Sequence, residues 1–154
     1  EVDVIMDLMI HDLDIIMSIN KSKIKNIQAS GISVLKSKTD IANARIVFED
    51  NCVCNLSSSR ISDKIERKMR VFQKNSYFSL DYQNSSLGTY KKIKNKNAIS
   101  IEKKEKSFPQ NDSLKDEIDS FVKCIKNNKK AVVDASDGLN ALTYALKISN
   151  LIKK

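Results

Sequence analysis

Hydrophobic residues recur along this chain at two different periods, and the points where the period changes mark out its elements. Residues 1–20 (EVDVIMDLMIHDLDIIMSIN) are apolar on almost every side of a helical wheel, with one narrow polar stripe. With Asp7 set at zero, His11 falls at roughly +40°, Asp14 near about −20°, Asp3 near about −40° and Ser18 near about +20°. A helix apolar nearly all round is a buried helix, and carboxylates are almost never fully buried without partners. The stripe is therefore expected to face water, a partner group or a ligand in a cleft.

The period then drops to two. Residues 25–35 (KNIQASGISVL) read as a β-branched strand with a bulge or bend at Gly31. Residues 43–49 (NARIVFE) alternate, Asp50-Asn51 signals a turn, and residues 52–60 (CVCNLSSSR) resume the alternation, so a hairpin is expected. Residues 68–73 (KMRVFQ) and 77–82 (YFSLDY) flank Lys74-Asn75-Ser76 as a second hairpin. Residues 89–106 give one or two further, very polar strands. Val47 beside Phe48, and Val71 beside Phe72, leave apolar residues on both faces, which suggests that the sheet's second face is covered.

Beyond Phe108-Pro109 the helical period returns. Asp112 and Ser113 are N-cap types, and Leu114, Ile118, Phe121, Val122 and Ile125 recur at helical spacing. Ser136-Asp137 is read as the cap of a last helix carrying Leu139, Leu142, Leu146 and Ile148. Helix, antiparallel strands, then two helices predicts an α+β fold: an open, mainly antiparallel sheet with helices on one face and the other available for oligomerisation.

The chain's 154 residues suffice for one domain with a real core. No apolar run reaches the ~18 residues of a membrane span, and no signal peptide is visible. Three cysteines, Cys52, Cys54 and Cys124, make an odd count without CxxC spacing, which points to a reduced, cytoplasmic protein. The net charge of +8 is concentrated in Lys91, Lys92, Lys94, Lys96, Lys103, Lys104 and Lys106. A basic nucleic-acid-binding domain would share that charge, but only Tyr90 stands beside the lysines and no recognition motif accompanies them. The preferred reading is a solvated strand pair whose lysines discourage edge pairing.

The chemistry centres on the stripe. His11, the only histidine, has Asp7 four residues before it and Asp14 three residues after it. Two readings stand at this point: a structural histidine satisfied by its neighbouring carboxylates, or a functional group in a cleft. A metal site is poorly served, since there is no second histidine. The glycines are Gly31, Gly88 and Gly138, and they build neither a GxGxxG turn nor a P-loop. GxSxG is also absent. The helix opens at once, without an evident cap or a Met, so residue 1 is expected to be a cut point and the chain the C-terminal part of a longer protein.

Four segments in order then resemble one family. VIMDLMIHDLDIIMSI is similar to the Asp-x-x-x-His-x-x-Asp helix of the Gfo/Idh/MocA oxidoreductases. DIANARIVFEDNCVCNLSSSRIS resembles their paired strands, with Asn51-Cys52 replacing the more usual Asn-Gly and "SR" closing the second strand. MRVFQKNSYFSLDY resembles the following hairpin, and residues 112–154 resemble the closing amphipathic helix, S-x-D-G-L-x-A-L and last helix. Around DLMIHDLDI the likeness is in particular to members acting on nucleotide sugars, the UDP-N-acetylglucosamine 3-dehydrogenase subgroup.

The resemblance implies that residues 1–154 are a substrate-binding and oligomerisation C-terminal domain. The NAD or NADP of such a protein is bound mainly by an N-terminal Rossmann domain, which also carries a Glu-Lys-Pro lysine; neither lies in this chain. It implies His11 and Asp7 as catalytic, a sugar or nucleotide sugar as substrate, and a homo-oligomer through the sheet face; from the composition, neither a membrane nor a nucleic-acid partner is expected. Oxidising an alcohol needs a base at its hydroxyl as hydride leaves the carbon, and imidazole titrates near neutral pH. Asp7 would orient the ring or bind an adjacent hydroxyl. Asp14 and Arg60 are candidate substrate contacts, Arg60 for an anionic group; their alternatives are a structural aspartate and a surface arginine. A non-catalytic assembly domain of the same fold is the alternative for the whole chain.

Overall fold

The computed structural model describes residues 2–35, 37–95 and 98–153; Glu1 and Lys96 of the residues discussed above lie outside these. A π-helical turn, Ile5–Met9, runs into α1, Ile10–Ile19. Seven strands follow: β1 Ile24–Ile32, β2 Ile41–Phe48, β3 Val53–Ser59, β4 Lys68–Gln73, β5 Ser76–Asp81, β6 Ser86–Asn95 and β7 Ala98–Ser107. The chain closes with α2, Ser113–Lys126, and α3, Ala135–Ile152. This is the expected α+β order, with every strand pairing antiparallel. The strands form two sheets, ordered β1-β2-β3 and β4-β5-β6-β7. They belong to two compact units, Glu1–Ser62 with Asn128–Lys154, and Asp63–Asn127.

In the first unit the predicted hairpin is β2-β3, and its turn places Asn51 at φ 66°, a left-handed conformation that Asn tolerates. Ala42, Ala44, Ile46 and Phe48 of β2 point inward, as strict alternation requires, with Ile27 of β1 and Leu56 of β3. Val4, Ile5, Met9, Leu13 and Ile16 from the chain start, and Ala141, Ala145 and Ile148 from α3, complete this core. The helix is not buried all round, because Leu8 and Ile19 are exposed.

Local details depart from the sequence reading. The strand expected to reach residue 35 stops at Ile32. Its irregularity falls between Ile24 and Asn26, not at Gly31. Gly31 is instead a point of close approach: a Cβ there would meet Thr39 Cγ2 at 2.7 Å, the Ile41 carbonyl oxygen at 2.9 Å and Ile152 Cδ1 at 3.0 Å. The last helix is capped by Asp134, two residues before Ser136. The Asp134 carboxylate accepts the Ser136 and Asp137 N–H groups, and Asp137 reciprocates at the Asp134 N–H, a capping box. The Lys130 ammonium at 2.7 Å, then the Ser136 hydroxyl, hold the Asp134 carboxyl well below the usual carboxylate range.

The outward face of β1-β2-β3 is largely polar. It carries Gln28, Ser30, Asn43, Arg45, Asn55 and Ser57, with Arg45 donating to Asn55 across the strands at 3.0 Å. Apolar residues on this face are thus confined to its two ends, where Val47 pairs with Val53 and Ile32 with Ile41.

In the second unit β4-β5 is the other predicted hairpin and β6-β7 the polar strand pair. Here both faces do carry apolar residues. Phe72, Tyr77 and Tyr90 are successive cross-strand partners whose ring centroids lie 4.7 and 5.0 Å apart, and Lys103 continues the row over Tyr90. Met69, Val71, Phe78, Leu80 and Leu87 alternate to the opposite face. Lys103 and Lys104 pair with Glu105 and Glu102 at 2.6 and 3.2 Å. α2 is capped by Asp112, as read from sequence, and buries none of its residues.

Candidate active site

The site is assembled where the chain start, the segment before β2 and the end of β3 converge. Val4 N–H donates to the Thr39 carbonyl at 3.0 Å, Asp40 N–H to the Ile32 carbonyl at 2.9 Å, and Arg60 N–H to the Asp40 carbonyl at 3.1 Å. These bonds pin the first helical turn beside Thr39 and Asp40, both buried.

Asp3 is not part of the exposed stripe. It precedes the helix and acts as its cap, accepting the Met6 N–H at 3.0 Å through Oδ1 and the Ser149 hydroxyl at 2.5 Å through Oδ2. The helix start therefore does have a cap, and the charge expected on the wheel is consumed in joining it to α3. The π-turn that follows, in which Ile10 N–H reaches back to the Ile5 carbonyl, shifts the phase assumed by a uniform wheel. Such turns recur at functional sites.

Asp7 and His11 both point to the exposed side. The Asp7 side chain is 53% exposed, and its Oδ2 lies 3.7 Å from Arg60 Nη2. The same Nη2 donates to the Val2 carbonyl at 2.9 Å. Arg60 Nε lies 3.9 Å from Oδ1 of Asp40 and, though buried, finds no hydrogen-bond acceptor among the described residues. Asp40 Oδ2 accepts the N–H groups of Val34 and Leu35 at 2.8 Å each. One guanidinium thus stands between an exposed and a buried carboxylate. His11 makes no hydrogen bond or ion pair among the described residues, and none joins it to Asp7. A satisfied structural histidine would be buried and bonded; this ring is neither.

Of the four residues singled out by sequence, Asp7 and Arg60 are in contact and His11 follows one turn on. Asp14 is placed otherwise. It is half-buried and lines a cleft of about 300 Å³ with Ser18, Asp137, Asn140 and Tyr144. Asp40 was missed, and nothing in the sequence around Thr39-Asp40 marks it, because its partners are set by the fold. Among the described residues no cluster of three or more His, Cys, Asp or Glu could hold a metal ion. No helix of the described residues is long and apolar enough to cross a membrane.

No protein-family model matches the chain. A curated relative is UDP-N-acetylglucosamine 3-dehydrogenase of Acidithiobacillus ferrooxidans, 29% identical over 150 residues, covering 96% of this chain and 48% of that protein. A solved structure of that enzyme superposes with a TM-score of 0.90, covering 99% of this chain and 48% of that one. Levoglucosan dehydrogenase, solved with NADH, shares the fold at 10% identity and a TM-score of 0.83, covering 99% of this chain and 48% of that one. The chain spans about half the length of the relatives it matches. Its relatives in sequence and structure are UDP-N-acetylglucosamine 3-dehydrogenase and Gfo/Idh/MocA-type oxidoreductases, and it corresponds to their C-terminal part.

Proposed function

We propose that this chain is the substrate-binding and oligomerisation domain of an NAD(P)-dependent oxidoreductase acting on a hydroxyl or keto group of a sugar or nucleotide sugar, with UDP-N-acetylglucosamine the first substrate to test. The observation that carries the reading is the match to UDP-N-acetylglucosamine 3-dehydrogenase over nearly the whole chain. The exposed, unpartnered imidazole of His11, one turn from an arginine-held carboxylate, supports it.

The dinucleotide belongs to a Rossmann domain outside this chain. Gly31 packs against Thr39 and Ile41, Gly88 sits under the Tyr90 ring and Gly138 lies inside α3, so none of them shapes a phosphate-binding turn. When bound, NAD(P)+ accepts the hydride. His11 supplies the matching proton acceptor: its free ring nitrogen takes the hydroxyl proton in oxidation and returns it in reduction. Asp7, anchored by Arg60, either orients the imidazole or accepts a hydrogen bond from a neighbouring substrate hydroxyl. Asp14, in its own cleft, is assigned a supporting role. Cys52, Cys54 and Cys124 form no disulfide among the described residues, which fits a reducing, cytoplasmic setting. Burial, then neighbouring Cys52, pushes the Cys54 thiol up to about 11, which makes it unreactive at neutral pH.

The full-length protein, given NAD+ or NADP+ with a panel of sugars and nucleotide sugars including UDP-N-acetylglucosamine, is expected to generate reduced nicotinamide absorbance. Absence of turnover with every member of the panel and both coenzymes would overturn the reading.

A further inference from the structure

We propose that Arg60 is a positioning residue for Asp7, acting through that carboxylate and not by binding an anionic group of the substrate. The inference rests on the reading that Asp7 belongs to the active site. Two of its guanidinium nitrogens already face partners: Nη2 donates to the Val2 carbonyl at 2.9 Å and faces Asp7 at 3.7 Å, while Nε faces Asp40 at 3.9 Å. The side chain is only 23% exposed, so it has little edge left to offer an incoming phosphate or carboxylate. The bidentate recognition of such anions by arginine uses two parallel N–H groups on one open edge.

Asp40 supplies the reason the arginine stays where it is. Its carboxylate is 3% exposed and fixed by the Val34 and Leu35 N–H groups, and its carbonyl accepts the Arg60 N–H. Arg60 is therefore tied by its main chain to one buried residue whose carboxylate also faces its guanidinium, and it extends from that anchor to the exposed Asp7. Without it, Asp7 would be a carboxylate on a surface turn with no cation beside it among the described residues. Such a side chain samples several rotamers, and it is costly to desolvate once substrate closes over it. With Arg60 in place the charge stays compensated while one turn away His11 remains unencumbered. Loss of an outer partner of this kind lowers activity without abolishing it.

The test is a double-mutant cycle in the full-length enzyme, with kcat, KM and melting temperature measured for Arg60→Gln, Arg60→Lys, Asp7→Asn and Asp7→Asn combined with Arg60→Gln. Arg60→Gln is expected to lower kcat on the order of 10- to 100-fold with KM little changed. Arg60→Lys should recover part of that loss, because a cation again faces Asp7. In the Asp7→Asn background Arg60→Gln should cost nearly nothing more in kcat. The proposal is overturned if Arg60→Gln raises KM while kcat holds, which would make it a substrate contact. It is equally overturned if the losses multiply in the double variant. A lowered melting temperature with normal turnover of the folded protein, in Arg60→Gln or in Arg60→Lys should the first not fold, would show a structural role and also overturn it. Normal turnover in Asp7→Asn alone would instead remove Asp7 from the site and take this inference with it.

Discussion

Two aspartates four residues apart meet opposite fates because one precedes the helix and the other lies within it. Asp3 is buried, with the Ser149 hydroxyl and the Met6 N–H as its partners, while Asp7 stays open to solvent beside Arg60. Removing the hydroxyl in Ser149→Ala leaves a buried carboxylate oxygen short of a partner, at a cost of about 1–3 kcal/mol. A clear fall in melting temperature is expected; an unchanged one would mean that water replaces the hydroxyl and that Asp3 does not tie the helix start to α3. The spacing of Asp7 and His11 was legible in the sequence because both share one helix, where periodicity fixes relative position. Asp40 was not legible, since its contacts with Arg60 and with the 34–35 backbone exist only once three separate segments have been brought together. Asp3 misled for a related reason: a wheel cannot tell a cap from a first-turn residue.

Elements followed the hydrophobic period closely, and both hairpins, β2-β3 and β4-β5, fell where alternation and turn residues predicted them. The errors lie at ends and at close contacts. Gly31 looked like a bulge because glycine in a strand has two common meanings, and only the presence of Thr39 and Ile152 above it chooses between them. The start of α3 was placed at Ser136, whereas the lysine that helps fix Asp134 as the cap, Lys130, precedes the helix. Because the Asp134 carboxyl is held below its ordinary value of 3.8, its contribution is full above that value and is lost as pH falls through the lowered native one. The melting temperature of Asp134→Asn should therefore lie below that of the unaltered chain at neutral pH, and the gap should close in strong acid. A gap that is constant from neutral pH to strong acid would show that the charge of Asp134 does not hold the helix start.

At the scale of the molecule, the α+β order of elements was readable, but the division of the strands into two sheets and two units was not. Every strand run has the same period, and nothing between residues 60 and 68 signals that pairing stops. The polar outward face of β1-β2-β3 also escaped, because Val47 was weighed without the Gln28, Ser30, Asn43, Arg45, Asn55 and Ser57 that surround it in space. Since none of its glycines shapes a phosphate-binding turn, the isolated chain is expected to show no saturable quenching or enhancement of NADH fluorescence at micromolar concentrations; tight binding would place part of the coenzyme site here. The proposed chemistry depends on His11, and His11→Asn in the full-length enzyme tests it most directly, with turnover and melting temperature measured on the same preparation. As a positioned base, its replacement should leave the melting temperature in place and lower kcat by about two to four orders of magnitude, with substrate affinity falling far less. Turnover at the level of the unaltered enzyme, with or without a drop in melting temperature, would contradict the assignment.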